Sequence, residues 1–522
     1  MIAFGTTQPA NVEGNLGATG GTVTQNMVIA SNSNGGATSI VATAAGAGNS
    51  TIRNTVFDGV GLGAGDAAIS VNGAANAVTI NNVEITNIGA GATGVLLNNN
   101  AGGVALTDVD LTNQVAANAG TALGIDAGGA STAAITVDAA SDIDGTTGTV
   151  VSIGAGARNV TFNAAINAAN NVDNVIDIAS QSGGAIQFGA VTSANATGES
   201  VIEVTAHSAG TLTFGNVAIT GFGNGGTDTA IELTGPGGST GSVTFADLDV
   251  ATANGAGLTA SGAGLSVSAT SGDFNITGGP AVNLSSVRAL NFALTSITAN
   301  GSGTVADGVV LFNLAANSSF AVTGTTTIDN YTDAGIQITN LGSNNQDIDF
   351  AATDINRTAA QATGRGIVID SIGGTGVDID FGATRIGLGG TTTTLGVLVS
   401  GVGAGATGFG TDFASLTTNQ ARTGFWVDNV DIAGAAVGVT GTTTIDNAVL
   451  DGIRIENSAG NVTFGGTTTI NNAVGFDGDG VDLGTSAGGF NTGTYTFNGV
   501  DITVNGVGAF GFRATNSGTV TI

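Results

Sequence analysis

Apolar and polar side chains alternate in short runs along most of this chain, and the runs return at a nearly constant distance. The phrase glycine–apolar–x–apolar stands at Gly308-Val-Val-Leu, Gly335-Ile-Gln-Ile, Gly366-Ile-Val-Ile, Gly396-Val-Leu-Val, Gly424-Phe-Trp-Val, Gly452-Ile-Arg-Ile, Gly480-Val-Asp-Leu and Gly511-Phe-Arg-Ala, with successive glycines 27 to 31 residues apart. A second phrase, apolar–x–Phe, follows in many repeats: Val160-Thr-Phe162, Ile186-Gln-Phe188, Leu212-Thr-Phe214, Val243-Thr-Phe245, Ile348-Asp-Phe350, Ile379-Asp-Phe381 and Val462-Thr-Phe464. Period-2 alternation is the signature of a half-buried strand. In the repeat that opens at Gly452, residues 452–456 predict one strand and Asn457-Ser-Ala-Gly-Asn461 a turn. Residues 462–464 predict a second strand, Gly465-Gly466 a corner, and residues 467–470 a third strand; residues 471–480 form a longer loop to the next glycine.

Three short strands in a coil of about 26–33 residues describe one turn of a parallel β-helix, in which each strand pairs with its equivalent one coil away. Helical repeats need amphipathic helices, a propeller blade needs four strands, and the glycine-rich nonapeptide of calcium-binding β-rolls is not iterated. With these phrases the chain resembles the right-handed parallel β-helix, or pectin-lyase-like, repeat proteins, of the kind found in large bacterial surface adhesins and autotransporter passengers. The resemblance implies an all-β, right-handed solenoid, an elongated rod, on an extracellular bacterial cell surface. The expected organisation is one continuous β-helix over residues 1–522. Residues 1–21 would be a cap or irregular lead-in, residues 22–150 weaker repeats in which Ala and Gly replace larger apolar residues, and residues 151–522 regular coils. Both ends read as cut, which suggests a segment of a larger protein.

Composition narrows the function classes. The 522 residues include 89 glycines, 3 prolines, no cysteine and no lysine, with 42% hydrophobic and 9% charged residues. That much apolar content excludes a disordered chain. A formal net charge of −29 repels nucleic acid and anionic membrane and favours cations as partners. Without cysteine there are no disulfides and no thiolate metal sites. No apolar run is long enough to span a bilayer as a helix.

Wrapping the sequence onto coils brings particular side chains together. The recurring Phe is expected to stack inside the coil. In Gly424-Phe-Trp-Val, the flanking apolar residues claim the interior and turn Trp426 outward, where a loop packing over it is the favoured reading and an exposed contact for a sugar or partner the alternative. Asp347 and Asp349 map onto Asp378 and Asp380 one 31-residue coil later, and Asp177, Glu203 and Glu232 stack in the same way at spacings of 26 and 29. Unit charges one strand spacing apart repel by roughly 1 kcal/mol in water, so these acids either splay into solvent or hold a bridging cation such as calcium. Asp477, Asp479 and Asp482 crowd the loop before Leu483 and join the calcium candidates. Arg454, Asp482 and Arg513 fall at one outward place in three coils, an ion ladder expected to contribute little at a surface. His207, the single histidine, reads as a solvated turn residue.

The enzymes of the resembled family cleave pectins and related polysaccharides, and the resemblance would place Asp clusters beside an Arg or Lys base, often with calcium. The Gly-His-Gly and Arg-x-Lys phrases of the polygalacturonase-like members are absent. Only an arginine base, Arg385 or Arg357 near Asp378 and Asp380, is conceivable, and repeats this regular leave few long loops to wall a substrate groove. The expectation is therefore a non-catalytic structural or self-assembling surface protein, such as a surface-layer or filament component. It would associate with itself or with neighbouring surface proteins, without an organic cofactor. The alternative is an adhesin passenger that binds host or surface glycans; a polysaccharide lyase or hydrolase comes last.

Overall fold

The computed structural model describes residues 22–30, 40–42, 50–58, 64–89, 91–112, 123–127, 133–144, 148–223, 228–302, 304–357, 364–388, 394–432, 435–473, 478–484, 491–505, 508–515 and 517–522. The expected lead-in, residues 1–21, lies outside them. Among the described residues every regular element is a β-strand. The chain forms two compact units, residues 1–255 with 261–266 and residues 256–260 with 267–522. Each is a stack of parallel β-helical coils.

In the first unit, strands Ser50–Asp58, Val78–Thr86 and Val104–Thr112 lie parallel and in register, with Ile52 paired to Ile80 and Ile80 to Leu106. On a separate sheet, Ala67–Asn72, Thr93–Asn98 and Leu123–Ala127 align Ile69, Val95 and Ile125. The faint repeats are thus coils like the others. Small residues blur the sequence signal without altering the alternation that buries one face.

The second unit contains the repeat that opens at Gly452, and its strands are Ile453–Glu456, Asn461–Phe464 and Thr468–Ala473. They pair in parallel with Val481–Leu483, Thr494–Phe497 and Val500–Val504, setting Ile453 beside Val481 and Ile470 beside Ile502. In earlier coils the second and third strands fuse into one bent strand, as in Gln346–Asn356 and Val377–Gly387. The bend falls where two successive residues, Ala351-Ala352 and Gly382-Ala383, both face away from the core. Gly382 is required there because a Cβ would sit 1.7 Å from the Ala351 carbonyl oxygen.

The interior is built in columns because in-register stacking puts like residues on top of one another. Phe162, Phe188, Phe214 and Phe245 stack in the first unit with centroids 5.1 to 5.7 Å apart. Phe292, Phe320, Phe350, Phe381 and Phe413 do so in the second at 4.8 to 5.6 Å. These separations are close to the interstrand step of about 4.8 Å, so each ring rests on the next without bending the backbone.

The repeated glycine has a steric cause. A Cβ on Gly366 would lie 2.6 Å from the Gly396 carbonyl oxygen and 2.6 Å from Ile386 Cγ2, and Gly335, Gly396 and Gly452 meet the next coil in the same way. A second column marks a corner: Asn313, Asn340, Ser371, Asn429 and Asn457 all have left-handed φ between 49° and 60°. Asn tolerates that region better than most residues, and its amide links coils, as where Asn313 Nδ2 donates to Ser286 Oγ at 3.0 Å.

Candidate functional site

Three of the groups of ionisable side chains among the described residues hold the candidate site residues, one in the first unit and two in the second. In the first, Asp177, Glu203 and Glu232 occupy one outward column on adjacent strands, as the spacing implied. Burial, and then repulsion from Glu203, raise the Asp177 carboxyl to about 6; the same causes push Glu232 upward. The Asn174 amide donates to Glu203 and bonds the column to the neighbouring turn.

In the second unit, strands Gln346–Asn356 and Val377–Gly387 set Asp347 beside Asp378 and Asp349 beside Asp380. Strand Gly410–Asn419 then adds Asp412 beside Asp380. The Asp349, Asp380 and Asp412 carboxyls all titrate above the ordinary value, first through desolvation and then through neighbouring carboxylates: Asp347 and Asp378 for Asp349, Asp378 and Asp349 foremost for Asp380, and Asp378 for Asp412. Asp380, flanked on both sides, reaches about 6. This column edges an open groove of about 620 Å³ whose floor carries the small corner residues Ala351, Gly382 and Ala414. Sequence reasoning aligned the first two coils; it missed Asp412, although Asp412-Phe413 repeats the Asp-Phe pair of Asp349-Phe350 and Asp380-Phe381. The arginines that might have served as a base stand elsewhere. Arg385 pairs in register with Asp354 beyond the corner, and Arg357 is buried, its Nη2 donating to the Thr332 carbonyl at 3.3 Å.

The third group corrects an expectation. Arg454, Asp482 and Arg513 do stack in register, yet this is no surface ladder, because Asp482 is buried together with Asp451, Asp479 and Glu456. Arg513 Nη2 lies 2.7 Å from Asp482 Oδ2 and its Nε 2.9 Å from Asp479 Oδ2. Arg454 Nη2 lies 2.9 Å from Glu456 Oε2. Carboxylate oxygens of Asp451, Asp479 and Asp482 come within 4.8 Å of one another. Burial lifts Asp451 to about 6 despite a hydrogen bond from the Asp479 amide, while the Asp482 carboxylate raises Arg513. A calcium ion at this cluster would compete with Arg513 for Asp479 and Asp482. Asp477, the remaining calcium candidate, lies outside the described residues.

Asp451 and Asp479 each precede a repeat glycine, as Asp307 precedes Gly308. All three accept a hydrogen bond from the backbone amide of the next coil: Asp307 from Ala334 at 3.0 Å, Asp451 from Asp479 at 3.2 Å and Asp479 from Phe510 at 2.8 Å. The Asp-Gly pair was the available signal, and it marks a coil-to-coil staple.

Two single residues remain, of which His207 differs from the sequence reading. Trp426 projects outward but is half-buried, with the Arg454 guanidinium of the next coil 5.2 Å from its ring centroid, which is cation–π distance. His207 is buried at 1% exposure against Gly241, where a Cβ would meet the imidazole at 2.4 Å. Burial holds its pKa below the usual histidine value. A turn of small residues was read as exposed, whereas coil stacking covers it.

No protein family, curated protein or solved structure matches the chain. No helix among the described residues is long and apolar enough to cross a membrane.

Proposed function

We propose that this chain is a non-catalytic structural protein of an extracellular surface, one that assembles with copies of itself or with neighbouring surface proteins and whose outward acids are bridged by calcium. The observation that carries this reading is the register of Asp347, Asp349, Asp378, Asp380 and Asp412, which repeats carboxylates on successive coils instead of converging them with a base. Repulsion within such a column favours a multivalent cation, and calcium takes six to eight oxygens from carboxylates, carbonyls and water. The burial of Arg357 and the placement of Arg385 beside Asp354 weigh against a polysaccharide lyase. Arg454 over Trp426 weighs against a sugar platform at that ring.

The test is electron microscopy of the purified chain together with its melting curve, each in calcium, in chelator, and in sodium at matched ionic strength. Ordered arrays or filaments are expected in calcium alone. A calcium concentration of about a hundred times Kd should add about 2.7 kcal/mol of stability. Asp378→Asn combined with Asp380→Asn should blunt both effects. Identical particles and melting curves in all three conditions would remove calcium from the account, and isolated particles under every condition would remove self-assembly.

A further inference from the structure

The groove along Asp349, Asp380 and Asp412 has two chemistries side by side. One edge is a file of carboxylates, one per coil. The floor is small and apolar, with Ala351 and Ala414 exposed at the bend and Gly382 between them. A bare divalent cation uses only the edge, because alkyl side chains offer it no oxygen. An extended basic peptide presents same-side cations about 6.6–6.8 Å apart, out of step with carboxylates that recur about every 4.8 Å. A linear alkylamine with three-carbon spacers fits both features. Its ammonium groups recur about every 5 Å, close to the interstrand step, and the methylenes between them can cover the apolar floor.

We propose that this groove is a binding site for a linear aliphatic polyamine, lying along the coil axis with one ammonium on each of Asp349, Asp380 and Asp412. The site does not depend on assembly or on calcium as the resident ion, although calcium would compete for Asp349 and Asp380. Burial, and then repulsion from neighbouring carboxylates, lift the Asp380 carboxyl to about 6; an ammonium beside it would offset both, so binding should also release a proton near pH 6.

Isothermal titration of the full, unassembled chain would test this, using norspermidine, a triamine with six-carbon spacers, and calcium chloride as probes at matched ionic strength. Norspermidine should bind about tenfold or more tightly than the longer-spaced triamine, a difference of about 1.4 kcal/mol. Ala414→Leu fills the floor and keeps every carboxylate; it should weaken norspermidine about tenfold and leave calcium unchanged. Asp380→Asn should weaken both ligands. If Ala414→Leu lowers the melting point, Ala351→Leu makes the same test from the exposed neighbouring coil. Equal affinity for the two triamines, or an Ala→Leu variant of normal stability that binds norspermidine like the parent, would reduce the groove to unspecific charge screening and overturn the proposal. Neither result would bear on arrays or filaments, which are read separately.

Discussion

Phe381→Ala is expected to cost the second unit about 3–5 kcal/mol, because it leaves a cavity in the middle of a continuous column. Phe381 is 2% exposed and stacks on Phe350 at 5.1 Å and on Phe413 at 4.8 Å. The loss therefore includes two ring contacts as well as the transfer of its apolar surface. Gly366→Ala should also destabilise, by about 1–3 kcal/mol, since the added methyl overpacks a site where the Gly396 carbonyl and Ile386 already lie within 2.6 Å. Asp378→Ala on the same strand points outward and should be nearly neutral. Chemical denaturation of the three variants checks the order. A Phe381→Ala variant as stable as Asp378→Ala would mean that the ring is not in the core.

Stability should rise as the pH falls from neutral toward about 5, the reverse of ordinary acid denaturation. Asp177, Asp307, Asp380 and Asp451 have folded-state pKa values of about 6 against 3.8 for the free side chain. Between those values the folded chain binds more protons than the unfolded chain, so acidification favours folding through that window. Asp451, 2% exposed, carries the largest share, on the order of 3 kcal/mol for a carboxyl raised from 3.8 to about 6. The more exposed carboxyls contribute less because solvent screens them. His207 works in the opposite sense: its lowered pKa means that the unfolded chain takes up the proton first below about 6.5, and the stability due to the neutral ring is lost as pH falls. One histidine does not offset four carboxyls. Melting curves in chelator should shift upward between pH 7.5 and pH 5, and Asp451→Asn should flatten the rise. A midpoint that falls steadily over that interval would contradict these assignments.

The sequence read correctly wherever alternation alone decides the outcome. In Ile379-Asp380-Phe381 the period of two leaves the acid only the outer face, and the 31-residue spacing then places it against Asp349. Alternation says which side a residue takes, not what covers it there. Asp482 and Trp426 were rightly placed outside the coil, but their burial depends on Arg513, Arg454 and the acids that precede Gly452 and Gly480. His207 was misread for the same reason, since its turn is exposed as a single coil and closed by the Gly241 backbone of the next. The repeat glycines were visible as a motif while the cause for those from Gly308 to Gly480, a carbonyl of the neighbouring coil at 2.2 to 2.8 Å from the missing Cβ, exists only after stacking. The groove at Asp412 was partly legible through Asp-Phe, but its floor required the bends at Ala351, Gly382 and Ala414 to be seen side by side.

The columns, and every functional proposal built on them, rest on the in-register stacking of successive coils, which paired cysteines test directly because the chain has none of its own. Asp347 and Asp378 are exposed register partners. Their Cα atoms, about 4.8 Å apart as parallel neighbours, fall within the range of about 4.4–6.8 Å that a disulfide spans. Asp347→Cys with Asp378→Cys should therefore close on mild oxidation of the folded monomer. Asp347→Cys with Asp380→Cys, two residues out of register and about 8 Å apart, should stay open. Closure of the offset pair with the in-register pair left reduced would contradict the stacking itself.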